Sequence, residues 1–259
     1  MKLYTLGCCS GTEPMPGLHH TSFALEINDK IYIIDAGEGC AHTAHTMGLD
    51  VLKITQIFIS HPHMDHVGGL ANLLWTMRKI SKHYKRPCAS SEIGLHISEL
   101  ETWEGVYKIL KNSEGGFSWD NTIEAHQLHE GLIYSDDNIT VTALHNNHIA
   151  KREEECGKQL SFSFKVESEG KTIIFSGDVK TPHDLDAFTA DGCDYLLMET
   201  GHHKIKDVCE YVNTHDIKNL MFVHHGREVL ASLTQAQLNA QQQCNKNVFV
   251  CKDRDVFEI

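Results

Sequence analysis

The sequence predicts an α/β fold in which two β-sheets pack face to face with helices outside, a four-layer αβ/βα sandwich. Short runs rich in β-branched residues alternate with stretches of helical spacing along the whole chain. These runs fall into two strand-rich halves, each closed by helices. No Pro/Gly/Ser-rich linker, low-complexity segment or strong repeat separates the halves. We therefore expect a single domain over residues 1–259.

Turn signals and hydrophobic spacing place the individual elements. Strands are predicted at Lys2–Leu6, Ser22–Ile27, Ile31–Asp35, Gln56–Ser60, Ile123–Gln127, Ile139–Leu144, Leu160–Glu167, Lys171–Ser176, Tyr195–Met198, Asn219–Val223 and Val248–Val250. Helices are predicted at Gly39–Met47, Leu70–Arg78, Ile97–Lys111, Lys204–Asn213 and Leu233–Cys244.

Composition limits the classes of function. The net charge is −12 and the densest basic run, near Lys79–Arg86, is short, so no extended nucleic-acid footprint is expected. No apolar run approaches the roughly 18 residues that a membrane span needs, and the first residues are too few for a signal peptide. Nine cysteines without a CxxC pair make a poor disulfide framework, which favours the cytoplasm. A homodimer is kept as an open expectation.

The densest chemical signal is the segment His61-Pro62-His63-Met64-Asp65-His66, directly after the apolar strand that ends at Ser60. Three imidazoles crowded in one turn would depress each other's protonation, and a divalent cation resolves this by taking the imidazoles and the carboxylate as ligands. The glycine pair Gly68-Gly69 then leads into a helix with little bulk beside the site. A metal site is therefore predicted at this loop.

This segment matches the H-x-H-x-D-H signature, and the whole chain resembles the metallo-β-lactamase superfamily. Within that superfamily the N-terminal third looks most like the ribonuclease Z branch. Three segments carry this second likeness: Leu6–Gly11, Asp35–Gly39 and Ile57–Gly69. The resemblance implies the metallo-β-lactamase type of αβ/βα sandwich and a metal-dependent hydrolase.

The resemblance also implies three later ligands. One follows the strand Ile139–Leu144, where His148 is favoured and His145 is the alternative. The second is Asp178, as a carboxylate shared by two ions. The third ends the strand Asn219–Val223, where His224 is favoured over His225.

In the assembly that the resemblance implies, His61, His63, His148 and Asp178 hold one metal ion. Asp65, His66, His224 and Asp178 hold the other. Nitrogen and oxygen donors favour two Zn²⁺ ions, with Mn²⁺ or Fe²⁺ also suitable.

The expected mechanism uses a hydroxide held between the two ions, with Asp65 orienting it and accepting its proton. The segment Glu199-Thr200-Gly201-His202-His203 follows a predicted strand and would lie near the same rim. Either His202 or His203 could act there as a general acid or contact the substrate; two exposed histidines at a helix start are the equal alternative.

Several departures from ribonuclease Z bear on the substrate. The chain lacks the long Gly/Pro-rich arm, has Val179 where that branch usually has Thr, and lacks the common Arg in the segment 17–22. A small-molecule phosphate ester, namely a small phosphodiester of cyclic or nucleotide-derived type, is therefore the favoured substrate. The alternatives are a carboxyl-ester, lactone or thioester hydrolase, ribonuclease Z-type RNA processing, and a non-catalytic metal-binding or ligand-sensing protein.

Overall fold

The structure is a computed structural model that describes residues 1–113 and 116–259. Within these residues the chain divides into two compact units. The first unit consists of Met1–Gly7, His19–Leu128 and Asp253–Ile259, and the second of Cys8–Leu18 and His129–Lys252. The single domain expected from the sequence stays a prediction.

The described residues of the first unit form one seven-stranded sheet and four α-helices. Its strands are β1 (Lys2–Gly7), β2 (Ser22–Ile27), β3 (Lys30–Ile34), β4 (Ile54–Ile59), β5 (Glu92–Ile97), β6 (Thr122–Gln127) and β14 (Val256–Glu258). Its helices are α1 (Cys40–Thr46), α2 (Met64–Val67), α3 (Leu70–Tyr84) and α4 (Leu100–Lys111). The sheet order is β14-β1-β2-β3-β4-β5-β6, and β3 to β6 run parallel.

The core of the first unit follows from the spacing of apolar residues in α3. Leu70, Leu73, Leu74 and Met77 recur at helical intervals and are fully buried in one cluster with Ile57 of β4 and its neighbours. Burial of such a leucine stabilises the fold by roughly 2 kcal/mol. Packing of this apolar face thus fixes α3, which follows the predicted metal loop, against the sheet.

The second unit contains another seven-stranded sheet and five α-helices. Its strands are β7 (Gly131–Ser135), β8 (Thr140–His145), β9 (Phe162–Ser168), β10 (Lys171–Phe175), β11 (Cys193–Thr200), β12 (Ile217–His225) and β13 (Asn247–Val250). Its helices are α5 (Ala150–Cys156), α6 (Asp186–Thr189), α7 (Ile205–Asn213), α8 (Arg227–Leu230) and α9 (Leu233–Gln243). The order is β13-β12-β11-β10-β9-β8-β7.

Strand direction in this second sheet decides where its functional side chains gather. Strands β10 to β13 are parallel, whereas β9 is antiparallel to both β8 and β10. Strands β8, β10, β11 and β12 therefore run in the same direction, and their carboxyl ends meet at one edge of the sheet. This is the edge where ligands commonly bind in parallel sheets.

Two mixed sheets with helices confirm the α/β class predicted from the sequence. Three strands were missed, however: β5, β7 and β14. The predicted helix at Ile97 begins only at Leu100, because Ile97 is the last residue of β5 and is fully buried there. The alternation of Glu92-Ile93-Gly94 is interrupted by a glycine, which weakens a strand signal. Within the described ranges no helix is long and apolar enough to cross a membrane.

Candidate metal centre

The first donor set, His61, His63, Asp65 and His66, lies at the carboxyl end of β4. The chain leaves β4 at Ile59 and enters the single-turn helix α2 at Met64. His61 Nε2 lies 3.0 Å from His63 Nδ1, and His66 Nε2 lies 3.5 Å from Asp65 Oδ2. The side chains of His61 and His66 are fully buried. Four donors predicted from one sequence segment are thus in mutual proximity.

Asp35 anchors this donor set from the neighbouring strand. It follows β3 with a left-handed φ of 57° and is 2% exposed. Ser60 donates its backbone N–H to Asp35 Oδ1 (2.7 Å) and its hydroxyl to Oδ2 (2.9 Å). His66 Nδ1 lies 2.8 Å from the same Oδ2, so a neutral His66 carries its proton on Nδ1, which would leave Nε2 as the ligand atom. No role for Asp35 was predicted from the sequence.

Two glycines allow the backbone to pack closely around this loop. A Cβ on Gly69 would lie 2.2 Å from the carbonyl oxygen of Gly37, and one on Gly37 would lie 2.5 Å from the carbonyl oxygen of Asp65. This close packing allows two backbone hydrogen bonds, from Ala36 N–H to His66 O (2.7 Å) and from Gly69 N–H to Ala36 O (2.8 Å). The glycines therefore fix the loop against the end of β3.

The second donor set, His148, Asp178, Glu199, His202 and His224, lies at the shared carboxyl edge of the second sheet. His148 follows β8, Asp178 follows β10, and the other three lie in or just after β11 and β12. Asp178, Glu199, His202 and His224 each offer a ligand atom within 4.8 Å of the others. Residues far apart in the sequence are thus brought together by strand direction.

Asp178 lies between two histidines. Its Oδ2 is 3.5 Å from Nε2 of His148, and its Oδ1 is 3.2 Å from Nε2 of His224. The carboxylate is 2% exposed. Each oxygen thus faces a different imidazole, which is the geometry of a carboxylate that can bridge two cations.

The geometry separates the alternatives that the sequence left open after β8. His145 Nε2 lies 2.9 Å from Glu153 Oε2, and Glu153 Oε1 also accepts the backbone N–H groups of Leu160 and Ser161. His148 instead faces Asp178, and its backbone N–H is held by the side chain of Asn146 at 3.2 Å. The arrangement favours His148 as the donor.

A similar difference separates the two histidines at the end of β12. His225 donates from Nε2 to the carbonyl of Cys251 at 2.7 Å, and its Nδ1 lies 2.7 Å from Thr200 Oγ1. Burial lowers the pKa of His225 to about 4, so this ring is neutral. His224, with a φ of 48°, turns toward Asp178. The geometry favours His224 as the donor and a structural role for His225.

Glu199 was quoted in the sequence analysis without a role, and it lies at the centre of the second donor set. The fully buried carboxylate accepts from His202 Nδ1 at 3.0 Å and from the His202 backbone N–H at 2.8 Å. Burial raises the pKa of Glu199, but hydrogen bonds from His202 and His224 outweigh it and hold the pKa well below its usual range. The hydrogen bond to Glu199 in turn raises the pKa of His202.

The two histidines after β11 differ in what they contact. His202 is about half exposed, and its Nδ1 lies 3.8 Å from Asp178 Oδ2. His203 Nε2 lies 3.0 Å from the backbone oxygen of Val179 and 3.5 Å from Glu199 Oε1. His202 is therefore the better placed of the two to meet a substrate near Asp178.

The chemistry of the donors fits divalent cations. The donor atoms are imidazole nitrogens and carboxylate oxygens, the types that Zn²⁺, Mn²⁺ and Fe²⁺ accept in proteins. Asp178 and Glu199 are buried carboxylates whose neighbours include several imidazoles. A buried anion needs compensating charge, which a cation supplies while the imidazoles stay neutral ligands.

Solved structures define the class of the fold. The crystal structure of the metallo-β-lactamase fold protein YhfI from Bacillus subtilis matches with a TM-score of 0.77 and 14% identity, covering 100% of this chain and 99% of that one. The short form of human tRNase Z matches with a TM-score of 0.70 and 18% identity, covering 100% and 99%. The fold is thus of the metallo-β-lactamase type, as predicted.

Sequence comparison gives the same superfamily and then a family. A ribonuclease Z of Methanothermobacter thermautotrophicus is 29% identical over 148 residues, which is 57% of this chain. The chain spans only 45% of the length of that relative. The predicted place in the superfamily near ribonuclease Z is confirmed. The chain belongs to the family described as Anti-Pycsar protein Apyc1, whose model matches residues 1–248.

Proposed function

We propose that this chain is a metal-dependent hydrolase of small, nucleotide-derived phosphodiesters, cyclic ones included. The observation that carries the proposal is the placement of Asp178, whose two oxygens face two different imidazoles. A shared carboxylate of this kind is what a pair of divalent ions needs, and paired ions are typical of phosphoester-cleaving sites.

The resemblance supplies the ligand assignment of this proposal. One ion would take His61, His63, His148 and Asp178, and the other Asp65, His66, His224 and Asp178. Zn²⁺ is the favoured ion, with Mn²⁺ and Fe²⁺ as alternatives. Two bound ions would lower the pKa of a water molecule and neutralise charge on substrate oxygens.

The roles of the chain's own residues follow from their contacts. Asp65 would orient the attacking water and accept its proton. His202, held by Glu199 through its Nδ1, would present Nε2 to the leaving oxygen and donate the proton it needs. Glu199 would keep the ring in position and stabilise its protonated form. His203 bonds to the backbone of Val179 and would act as a contact beside the site rather than as the acid.

Substrate charge supports a diester over a carbonyl compound. The reacting phosphorus of a diester carries two non-bridging oxygens, so two cations can each stabilise one of them in the transition state. A lactone or thioester develops one oxyanion and gains less from the second cation. The net charge of −12 argues against a long nucleic acid as the substrate.

The cellular setting is part of the same proposal. The nine cysteines are free thiols, which agrees with a reducing compartment, and the cytoplasm remains the expected location. The homodimer remains an expectation to be tested by light scattering.

The experiment combines metal analysis with a substrate panel. Protein purified without chelator should contain about two Zn, Mn or Fe ions per chain and cleave bis(p-nitrophenyl) phosphate and cyclic nucleotides faster than lactones or thioesters. A precursor transfer RNA should show no advantage over a small diester. The exposed variant Asp137→Asn is the control and should behave as wild type.

Three results would each contradict a different part of this proposal. Protein that takes up none of these metals removes the metal site. Efficient lactone or thioester cleavage without diesterase activity assigns the site to carbon chemistry. Preferential cleavage of precursor transfer RNA restores the ribonuclease Z assignment.

A further inference from the structure

The second unit contains a cavity of about 380 Å³ beside the second donor set. It is lined by residues of the β11–α7 loop, the start of α7, α8 and one face of α9. A volume of this size lies in the range of small-molecule sites. The mechanism proposed above gives these α9 residues no role.

The lining of this cavity combines two kinds of surface. Ile205, Val229 and Ala236 supply apolar side chains, and Val229 and Ala236 are largely buried. Ser232, at the N-cap of α9, supplies a hydroxyl, and Gln235, Asn239 and Gln243 supply three carboxamides along the helix. A nucleobase has the same two features, apolar faces and an edge of hydrogen-bond donors and acceptors.

The carboxamides in the cavity can bind both hydrogen-bond donors and hydrogen-bond acceptors. Gln235 Nε2 donates to Asn239 Oδ1 at 2.9 Å, which orders the two side chains on successive turns of α9. That bond uses one of the two amide N–H groups of Gln235 and one lone pair of the Asn239 oxygen, whereas a carboxamide has two donors and two acceptor sites. The ordered pair is therefore suited to read the polar edge of a base.

The position of the cavity ties it to the site. His203 lines the cavity, and its Nε2 lies 3.5 Å from Oε1 of Glu199, the carboxylate that holds His202. A ligand in the cavity is thus separated from the proposed proton donor, His202, by two side chains, His203 and Glu199. Lys204, Lys206 and Glu228 also line it, and two cations against one carboxylate leave a net positive charge, which suits an anionic ligand in a chain of net charge −12.

We infer that this cavity binds the nucleoside part of a nucleotide-derived substrate, with the carboxamides of Gln235 and Asn239 contacting the base. The inference rests on the proposed function and deepens it, since it assigns substrate choice to α9 rather than to the metal ligands. The enzyme would distinguish a nucleotide from a simple aryl diester by contacts in this cavity.

The first experiment measures binding without turnover. Nucleoside 5′-monophosphates with each of the four bases, which are not diesters, are titrated calorimetrically into the metal-loaded protein, with inorganic phosphate and p-nitrophenyl phosphate as comparators. At least one nucleotide should bind more tightly than both comparators. The double variant Gln235→Ala/Asn239→Ala should weaken that binding about tenfold, since two hydrogen bonds are lost. Alanine favours the helix, so α9 should be retained.

The second experiment uses the metal-loaded enzyme. The ratio of kcat/KM for a cyclic nucleotide to kcat/KM for bis(p-nitrophenyl) phosphate should fall about tenfold in the double variant. A second variant, Gln235→Trp, fills the cavity and should lower the same ratio. Gln241→Ala, an exposed change in the same helix away from the cavity lining, is the matched control and should keep the wild-type ratio.

The outcomes separate the two proposals. An unchanged ratio and unchanged nucleotide affinity in both cavity variants overturn the inference, whether or not diesters are cleaved. Binding of inorganic phosphate as tight as that of every nucleotide also overturns it, because the cavity would then be a plain anion site. Failure of the wild type to cleave any diester, together with nucleotide binding lost in the cavity variants, overturns the proposed function and leaves the cavity as a nucleotide site.

Discussion

The donor set of the first unit comes from one loop and one short helix, whereas that of the second unit comes from the ends of four strands. His61, His63, Asp65 and His66 span six residues of sequence, but His148 and His224 are separated by more than seventy. The first set is held by Asp35, a carboxylate outside it. The second set contains its own anchoring carboxylates, Asp178 and Glu199. A local set can therefore be read from sequence, whereas a dispersed set depends on strand direction.

The largest expected effect is in the second set, at the carboxylate that faces two imidazoles. Asp178→Ala should lower kcat/KM for bis(p-nitrophenyl) phosphate on the order of 10³-fold and remove most of the bound metal. His224→Ala should cost less activity and leave about one ion per chain, because His224 would serve one ion only. Activity assays and elemental analysis of both variants test this. Small and equal losses would show that the shared ligand is misplaced.

A smaller effect is expected at the proton donor. His202→Gln should lower kcat by roughly 10²-fold for a cyclic nucleotide, whose alkoxide leaving group needs a proton. The same change should matter much less for bis(p-nitrophenyl) phosphate, because p-nitrophenolate leaves without protonation. The exposed change His183→Gln is the control. An equal loss on both substrates would assign His202 to metal binding instead.

Substitution of Asp35, which anchors the first donor set, should weaken metal binding without abolishing it. Asp35→Asn keeps the size of the side chain but removes the charge that fixes the tautomer of His66. We expect metal affinity to fall roughly 10- to 100-fold, as is typical for a partner of a ligating histidine. Competition with a chromophoric chelator measures this, and Asp29→Asn, an exposed change in the same unit, is the control. Wild-type affinity in Asp35→Asn would mean that the first set needs no outside anchor.

The last prediction concerns stability rather than activity or metal affinity, at a histidine of the first unit far from either set in sequence. Burial lowers the pKa of His96 to about 4, below its ordinary value of 6.5, and its Nε2 donates to Gln56 Oε1 at 3.0 Å. The unfolded chain therefore takes up a proton between about pH 6.5 and pH 4 that the folded chain does not. Stability should fall as the pH falls through this window, by at most about 1.4 kcal/mol per unit from this group.

Urea unfolding of metal-stripped protein at several pH values tests this prediction. The His96→Gln variant should show a weaker pH dependence than the wild type across the window. Identical slopes for the two proteins would show that His96 does not take part. The donor sets contribute equally to both curves and so cancel in the comparison.

Local sequence patterns predicted more of this molecule than dispersed ones did. The cluster at His61–His66 could be singled out because its side chains are contiguous in the sequence. Helix α3 could be predicted because its apolar residues recur at helical spacing. Asp35 and Glu199 were missed as site residues, although each directly follows or ends an apolar strand, because nothing local says what a strand-end carboxylate will face. Strand β5 was missed because Gly94 breaks its pattern, while its burial comes from pairing with β4 and β6.

The consecutive residues His224 and His225 show how much depends on the local backbone conformation. His225 is fixed by Thr200 and Cys251, and His224 turns the other way because its backbone adopts a positive φ. Gly201 makes room for that turn, since a Cβ there would lie 2.6 Å from His224 Nδ1. For anyone transplanting this candidate centre into another scaffold, copying the proposed ligands would not be enough. Gly201 and the neutral His225 would have to be transferred with them, since together they orient the imidazole of His224 toward Asp178.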